Sequence, residues 1–282
     1  MINDYTNLKI IKMNLFDIKD KVAVITGGTG VLGSSIAEHL AASGAKIVII
    51  GRNQGTIDET INNLKNSGYE ALGIAANILD KESLIEARKK IITHFGNIDI
   101  LLNAAGGNMP GATIGPDQTI FDLSIDAFQT VTDLNLNGTV LPSIVFGEHM
   151  AQQKEGIIIN FSSMTVERAV TRVVGYSASK AAMENFTRWM AVEMATKFSD
   201  KIRVNAIAPG FFIGNQNRKL LTNDDGTYTD RGNKIINNTP MKRFGKANEL
   251  AGAIHFLCSD ASQFITGIVL PVDGGFSAFS GV

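Results

Sequence analysis

Residues 21–44 constrain the fold more than any other stretch of the chain. Lys21-Val-Ala-Val-Ile-Thr26 is a short apolar, β-branched run of the kind buried on both faces of a sheet. It passes directly into Gly27-Gly28-Thr29-Gly30-Val31-Leu32-Gly33, and then into Ser34-Ser-Ile-Ala-Glu-His-Leu-Ala-Ala-Ser-Gly44, a helical pattern closed by a glycine. Strand, glycine turn and helix in this order aim backbone N–H groups and a helix N-terminus at one place, where a pyrophosphate can sit. A glycine loop alone is weak evidence. Between a strand and a helix it points to a dinucleotide.

The pattern then repeats without its glycines. A strand at Ala45-Lys-Ile-Val-Ile-Ile50 precedes a helix near 54–66, a strand near 70–76, a helix near 80–95 and the strand Ile98-Asp-Ile-Leu-Leu102. A helix from about 126 to 150 follows, then the buried strand Gly156-Ile-Ile-Ile-Asn-Phe161. After a further helix come a strand at Lys201-Ile-Arg-Val-Asn-Ala-Ile207, an irregular polar span at about 211–246, a helix near 247–258 and a strand near 266–271. Alternation of this kind implies an α/β fold, a doubly wound Rossmann-type parallel sheet with right-handed crossovers and helices on both faces. A loop as long as 211–246 inside a compact domain serves more often as a lid or binding element than as filler.

A chain of 282 residues, 44% of them hydrophobic, holds one large α/β domain or two small ones. No repeat or linker interrupts it, so one domain over 15–282 is the simplest account, with 1–14 a polar N-terminal extension. Met13 is an alternative start to Met1. A net charge of −1 gives no general electrostatic case for nucleic acid or an anionic membrane. Cys258 is the only cysteine, no apolar run reaches membrane-spanning length, and the N-terminus lacks the apolar core of a signal peptide. The expected setting is therefore soluble and cytoplasmic. His39, His94, His149 and His255 are scattered without ligand spacing, so no metal site is expected.

The chemistry gathers at the C-terminal ends of the expected strands, the edge at which open α/β sheets bind ligands. The second strand ends at Gly51-Arg52-Asn53. A carboxylate there bonds the ribose hydroxyls of NAD, whereas an arginine holds the 2′-phosphate of NADP. The carboxylate is missing and Arg52 is present, which favours NADP(H) while leaving NAD(H) possible; a solvated surface arginine is the other reading. The fourth strand runs into Asn103-Ala104-Ala105-Gly106-Gly-Asn108, small residues that admit a ligand close to the backbone. Asn135 lies in the following helix, and the fifth strand delivers Ser162 and Ser163.

Tyr176 and Lys180 stand four residues apart on a helix whose buried stripe is Met183, Phe186, Met190 and Met194, so they share a face. An ammonium beside a phenol favours phenolate. Two charges about 4 Å apart at an effective dielectric of about 20 interact by roughly 4 kcal/mol, or about three pKa units. That is expected to bring the phenol toward neutral pH, where acid/base work is efficient.

From about Lys21 onward the chain resembles the short-chain dehydrogenase/reductase family. The resemblance rests on the loop from Gly27 to Gly33, Asn103-Ala-Ala-Gly106, Asn135, Ser163, Tyr176-x-x-x-Lys180 and Pro209-Gly210, in the family's order, with Ser163 thirteen positions before Tyr176. It implies Asn135, Ser163, Tyr176 and Lys180 as catalytic residues. Ser163 would hydrogen-bond the carbonyl oxygen, Tyr176 would exchange its proton, Lys180 would hold the nicotinamide ribose, and Asn135 would order a water leading from Lys180 to solvent. A structural hydrogen bond is the other reading of Asn135. The same resemblance places the cofactor against Gly27 to Gly33, Arg52 and Asn53, Asn77 and Ile78, Asn103 to Gly106, Tyr176, Lys180, Pro209, Gly210 and Phe212. Two positions depart from the family's pattern. Val31 replaces the middle glycine of the loop, and Asn77 stands where many members carry an adenine-binding Asp. An amide still both donates to and accepts from an adenine edge.

Thr171-Arg172, Ala208-Pro-Gly-Phe-Phe212, Asn217-Arg218 to Gly226, Thr239 to Gly245 and the tail from Pro271 resemble the family's sugar-acid branch, the D-mannonate oxidoreductase (fructuronate reductase) type, with gluconate 5-dehydrogenase a near relative. D-fructuronate/D-mannonate is then the expected substrate pair, and a gluconate 5-dehydrogenase, a 3-ketoacyl reductase or an inactive dinucleotide sensor are the alternatives. A sugar acid calls for a guanidinium and polar side chains. Arg172 and Arg218, with Asn108 and Ser163, are the candidates, and Arg243 lies in the same span. The family also implies a homotetramer, with the tail aromatics Phe276 and Phe279 packed on a neighbouring subunit.

Overall fold

The computed structural model describes residues 14–214 and 217–281. The expected extension over residues 1–14 lies outside that range except for Asn14. The strands β1 (Val22–Thr26), β2 (Lys46–Gly51), β3 (Ala71–Ala75), β4 (Ile100–Asn103), β5 (Gly156–Phe161), β6 (Ile202–Pro209) and β7 (Val269–Val272) form one parallel sheet in the order β3-β2-β1-β4-β5-β6-β7. Strand order reverses between β1 and β4. The crevice opened at that switch point, beyond the strands' C-terminal ends, is the natural ligand site.

Helices α1 (Val31–Ala42), α2 (Gln54–Asn66) and α3 (Lys81–Phe95) alternate with the first four strands. Next come α4 (Ile125–Thr132), α5 (Gly138–Gln153), α6 (Val174–Lys197), α7 (Arg218–Leu221), α8 (Asp230–Asn237) and α9 (Ala251–Cys258). Alternate residues of each central strand face opposite layers. Ala23 and Ile25 meet α1, α2 and α9 in one core, whereas Val22 and Val24 meet α3, α5 and α6 in the other. Both layers are apolar, which is why β1 reads as a continuous hydrophobic run rather than an alternating one. Caps set the helix limits: Asn53 Oδ1 accepts from Thr56 N, Asp80 accepts from Glu82 N and Ser83 N, and Gly96 closes α3 at φ 82°.

Two expectations change. The single helix near 126–150 is divided by a π-turn at Asp133–Asn137. Asn135 Nδ2 donates to Val131 O at 2.8 Å, competing with backbone donors for that carbonyl, and Pro142 follows in α5 without an N–H of its own. The span 211–246 is not merely irregular: α7 and α8 lie within it and share a small core of Leu221, Ile235 and Phe244. Phe276 packs edge-on against Phe211 with centroids 5.2 Å apart, and Phe279 is half-buried, so these tail aromatics are partly covered by their own chain.

Candidate active site

Backbone forms the floor of the crevice. A Cβ on Gly27, itself at φ 68°, would lie 2.7 Å from Ala105 Cα, and one on Gly33 would lie 2.5 Å from Gly27 O. Only glycine lets the loop, β4 and α1 approach so closely. Gly30 precedes α1 with no side-chain cap and no acidic residue in the first turn. The orphan N–H groups at Val31, Leu32 and Gly33, with the positive end of the helix dipole, therefore face the cleft. That cradle fits the diphosphate of a nicotinamide dinucleotide.

The cleft, about 400 Å³, brings together Gly27, Gly30 to Gly33, Ala104, Gly106, Ser163, Tyr176, Lys180, Pro209, Gly210 and Phe212 from the expected set. Gly107, Gly214 and Asn217 also line it. Of these three, Gly107 had a signal in the small-residue run after β4, and Asn217 opens the stretch to Gly226 that resembles the sugar-acid branch. Other expected residues are near but differently engaged. Gly28 packs on Ile49, Thr29 approaches Gly51, and Ala105 N donates to Thr26 Oγ1 at 3.3 Å. The fully buried Asn103 donates to Ser143 Oγ and Asn160 Oδ1, both at 2.9 Å, and ties β4 to α5 and β5 rather than lining the cleft. Arg52 is exposed beyond β2, where Asn53 serves as helix cap. Exposed Asn77 accepts from Leu79 N at 3.1 Å, while Ile78 is buried against Gly138.

α6 presents Tyr176 and Lys180 to the crevice floor, and the turn after β5 presents Ser163. Lys180 Nζ lies 5.6 Å from the Tyr176 ring centroid and donates to Phe161 O at 2.6 Å. Burial with no carboxylate beside it lowers the Lys180 ammonium to about 8. The expected downward shift of Tyr176 is not found. Burial raises the phenol, and the neighbouring Ser163 hydroxyl only partly opposes it. The cation lies over the ring face and is turned to the Phe161 carbonyl, so its charge does not dominate the hydroxyl's environment.

Asn135 joins the π-turn to the loop after β4: Oδ1 accepts from Gly107 N at 3.0 Å, and Nδ2 donates to Gly107 O at 2.7 Å. A Cβ on Gly106 would come within 2.7 Å of Asn135 Oδ1 and 3.3 Å of Lys180 Nζ, so glycine there lets both side chains reach the cleft wall.

The substrate candidates divide. Asn108 Nδ2 donates to Thr113 Oγ1 at 2.8 Å, leaving a buried Oδ1 without a protein partner. Half-buried Arg172 adopts φ 79° and its carbonyl accepts from Ile114 N at 3.0 Å. Arg218 is exposed at the start of α7. Arg243 is already engaged by Glu249 through two 2.7 Å bonds, which hold that carboxyl at about 2. Arg231, not foreseen from sequence, reaches Thr171 Oγ1 and O, each at 3.5 Å. Among the described residues no group of three or more His, Cys, Asp or Glu is placed to hold a metal, and no helix is long and apolar enough to cross a membrane.

A doubly wound sheet, a glycine-floored diphosphate cradle and a Ser, Tyr and Lys at the switch point define a class of nicotinamide-dependent oxidoreductases. The comparisons narrow it. Residues 29–277 match the family model described as "Enoyl-(Acyl carrier protein) reductase". The uncharacterized oxidoreductase UxuB of Bacillus subtilis is 45% identical over 94% of this chain and 98% of its own. The 2-dehydro-3-deoxy-D-gluconate 5-dehydrogenase of Formosa agariphila is 35% identical over 96% and 98%. A crystal structure of a proposed D-mannonate oxidoreductase from Haemophilus influenzae, with bound NAD, shares 43% identity and a TM-score of 0.88 over 94% of this chain and 98% of that one. The chain belongs to the short-chain dehydrogenase/reductase family and is an NAD(P)-dependent oxidoreductase.

Proposed function

We propose that the chain interconverts a keto sugar acid and its secondary alcohol, with D-fructuronate and D-mannonate as the leading pair. The observation that carries this reading is Arg172. It is half-buried between Ser163 and Tyr176 in sequence, in a left-handed backbone conformation that a side chain rarely adopts, and has no carboxylate within 4 Å among the described residues. A guanidinium so placed suits an anionic substrate. The gluconate and mannonate names of two relatives support the same class.

The bound nicotinamide supplies or accepts the hydride, and the protein handles orientation and protons. Ser163 hydrogen-bonds the substrate oxygen as negative charge grows on it. Tyr176 gives that oxygen its proton in reduction and removes it in oxidation. Lys180 holds the ribose beside Tyr176, and the free lone pair of Asn135 Oδ1 orders a water toward Lys180. Gly27 and Gly30 to Gly33 would hold the diphosphate, Asn77 and Ile78 the adenine, and Arg52 a 2′-phosphate.

A panel of fructuronate, 5-ketogluconate and an acetoacetyl thioester, read by oxidation of NADPH and NADH, tests the assignment. Fructuronate is expected to give the highest kcat/KM. Preference for the thioester would overturn the sugar-acid reading, and preference for 5-ketogluconate would move it to a gluconate 5-dehydrogenase. Arg52 is one exposed contact, worth about 0.2–1 kcal/mol, so NADPH should be favoured by no more than about fivefold and Arg52→Ala should remove that margin. A preference for NADH unchanged by Arg52→Ala would contradict it.

The family expectation of a homotetramer is retained as part of this reading. Ile144 on α5 and Trp189 and Val192 on α6 are 49%, 62% and 64% exposed, an outward apolar surface suited to a second copy. Light scattering should give four times the monomer mass. A monomeric mass would refute it.

A further inference from the structure

Arg231 stands at the second position of α8, and its helix is fixed by other residues. Thr229 Oγ1 accepts from Gly232 N at 3.1 Å and donates to Leu220 O at 2.8 Å, while Ile235 is buried in the small core shared with Leu221 and Phe244. A Cβ at Gly232 would lie 2.3 Å from Leu221 O, so α8 is seated tightly on α7. Arg231 is left to project toward the turn between β5 and α6. Its two contacts there, to Thr171, are at the outer limit of hydrogen bonding and leave most of its five donors free.

The neighbour across that gap is Arg172. Burial first, and then the Arg172 charge, lowers the Arg231 guanidinium. Three carboxylates of the C-terminal part of the chain have other partners. Asp225 accepts from Thr227 N and Oγ1, Glu249 is held by Arg243, and Asp273 accepts from Gly275 N and Ser277 N. Among the described residues neither Arg172 nor Arg231 has a carboxylate within 4 Å. Two half-buried cations fifty-nine positions apart in sequence are brought together without an anion among the described residues in contact with either.

We propose that Arg172 and Arg231 form a two-guanidinium subsite for the substrate's carboxylate, one half on the turn that follows Ser163 and the other carried in by α8. This deepens the sugar-acid reading and rests on it. Neither arginine lines the cleft that holds Ser163, Tyr176 and Lys180. The carboxylate they accept is therefore remote from the reacting carbon, as in a 5-keto hexonate, and not adjacent to it, as in a 2-keto acid. One carboxylate bonded from both sides also ties α8 to the turn before Tyr176, so binding energy at the far end of the substrate is felt at the element that carries Tyr176.

The test compares D-fructuronate with D-fructose, the same six-carbon ketone carrying a hydroxymethyl group in place of the carboxylate, under saturating reduced nucleotide. In Arg231→Gln the ratio of kcat/KM for acid over neutral ketone is expected to fall on the order of 10- to 100-fold, the range for a charge-assisted hydrogen bond. Arg231→Lys keeps a point charge without the fork and should recover part of that ratio. Arg172→Gln combined with Arg231→Gln should lower the ratio by less than the product of the single effects, because both arginines bond one group. An unchanged ratio in Arg231→Gln, or strictly multiplicative effects, overturns the subsite while leaving the sugar-acid reading in place. If the unaltered protein prefers the thioester to every sugar acid, that reading falls and takes the subsite with it.

Discussion

Tyr176→Phe is expected to lower kcat by about 10²- to 10⁴-fold, the usual contribution of a positioned acid/base group, while nucleotide affinity and thermal stability change little. The substitution removes one hydroxyl and keeps the ring against the Lys180 side chain. The upward shift of the phenol gives the reaction a direction in pH. Reduction draws on the protonated phenol, which is present throughout the neutral range, so its rate should hold there. Oxidation needs phenolate, so its rate should climb toward alkaline pH. Steady-state rates from pH 6 to 10, with fluorescence titration of the reduced nucleotide, would check both parts. Turnover within a fewfold of the unaltered protein would remove Tyr176 from its proposed role.

The parts legible in the sequence are those that local geometry dictates. β1 is an unbroken run of buried residues, and it reads as such because both neighbouring layers are apolar. Tyr176 and Lys180 share a helix face by spacing alone, whatever surrounds them. What local pattern does not encode is where a side chain finds its partner. Lys180 is directed by Phe161 O, which belongs to another element, and it is burial that raises Tyr176 against the shift expected of it. The π-turn at Asp133–Asn137 depends on Asn135 reaching Val131 and Gly107, the latter 28 residues earlier. Arg231 and Arg243 look alike in a polar span. Glu249, six positions on, engages Arg243, whereas Thr171, sixty positions back, leaves Arg231 largely free. Phe276 looks like an exposed end until Phe211 is seen against it.

Lys180→Met is expected to abolish most turnover and yet stabilise the fold near pH 7. Lys180 is 3% exposed, and its ammonium is lowered from 10.5 to about 8 by burial. Below pH 8 both folded and unfolded chains carry the charge, and the folded one bears the desolvation penalty. Between about 8 and 10.5 the unfolded chain keeps a proton that the folded chain has released, so stability rises with pH over that window. A shift of this size corresponds to roughly 3 kcal/mol of strain at neutral pH. Losing the bond to Phe161 O offsets about 1–3 kcal/mol of the relief. The net gain is then about 0–2 kcal/mol, at about 2–4 °C in Tm for each kcal/mol. The sharper test is the slope: the unaltered protein should gain stability from pH 8 to 10.5, and the variant should not. A variant that keeps both that slope and its turnover would show that the buried ammonium is neither a source of strain nor part of the chemistry.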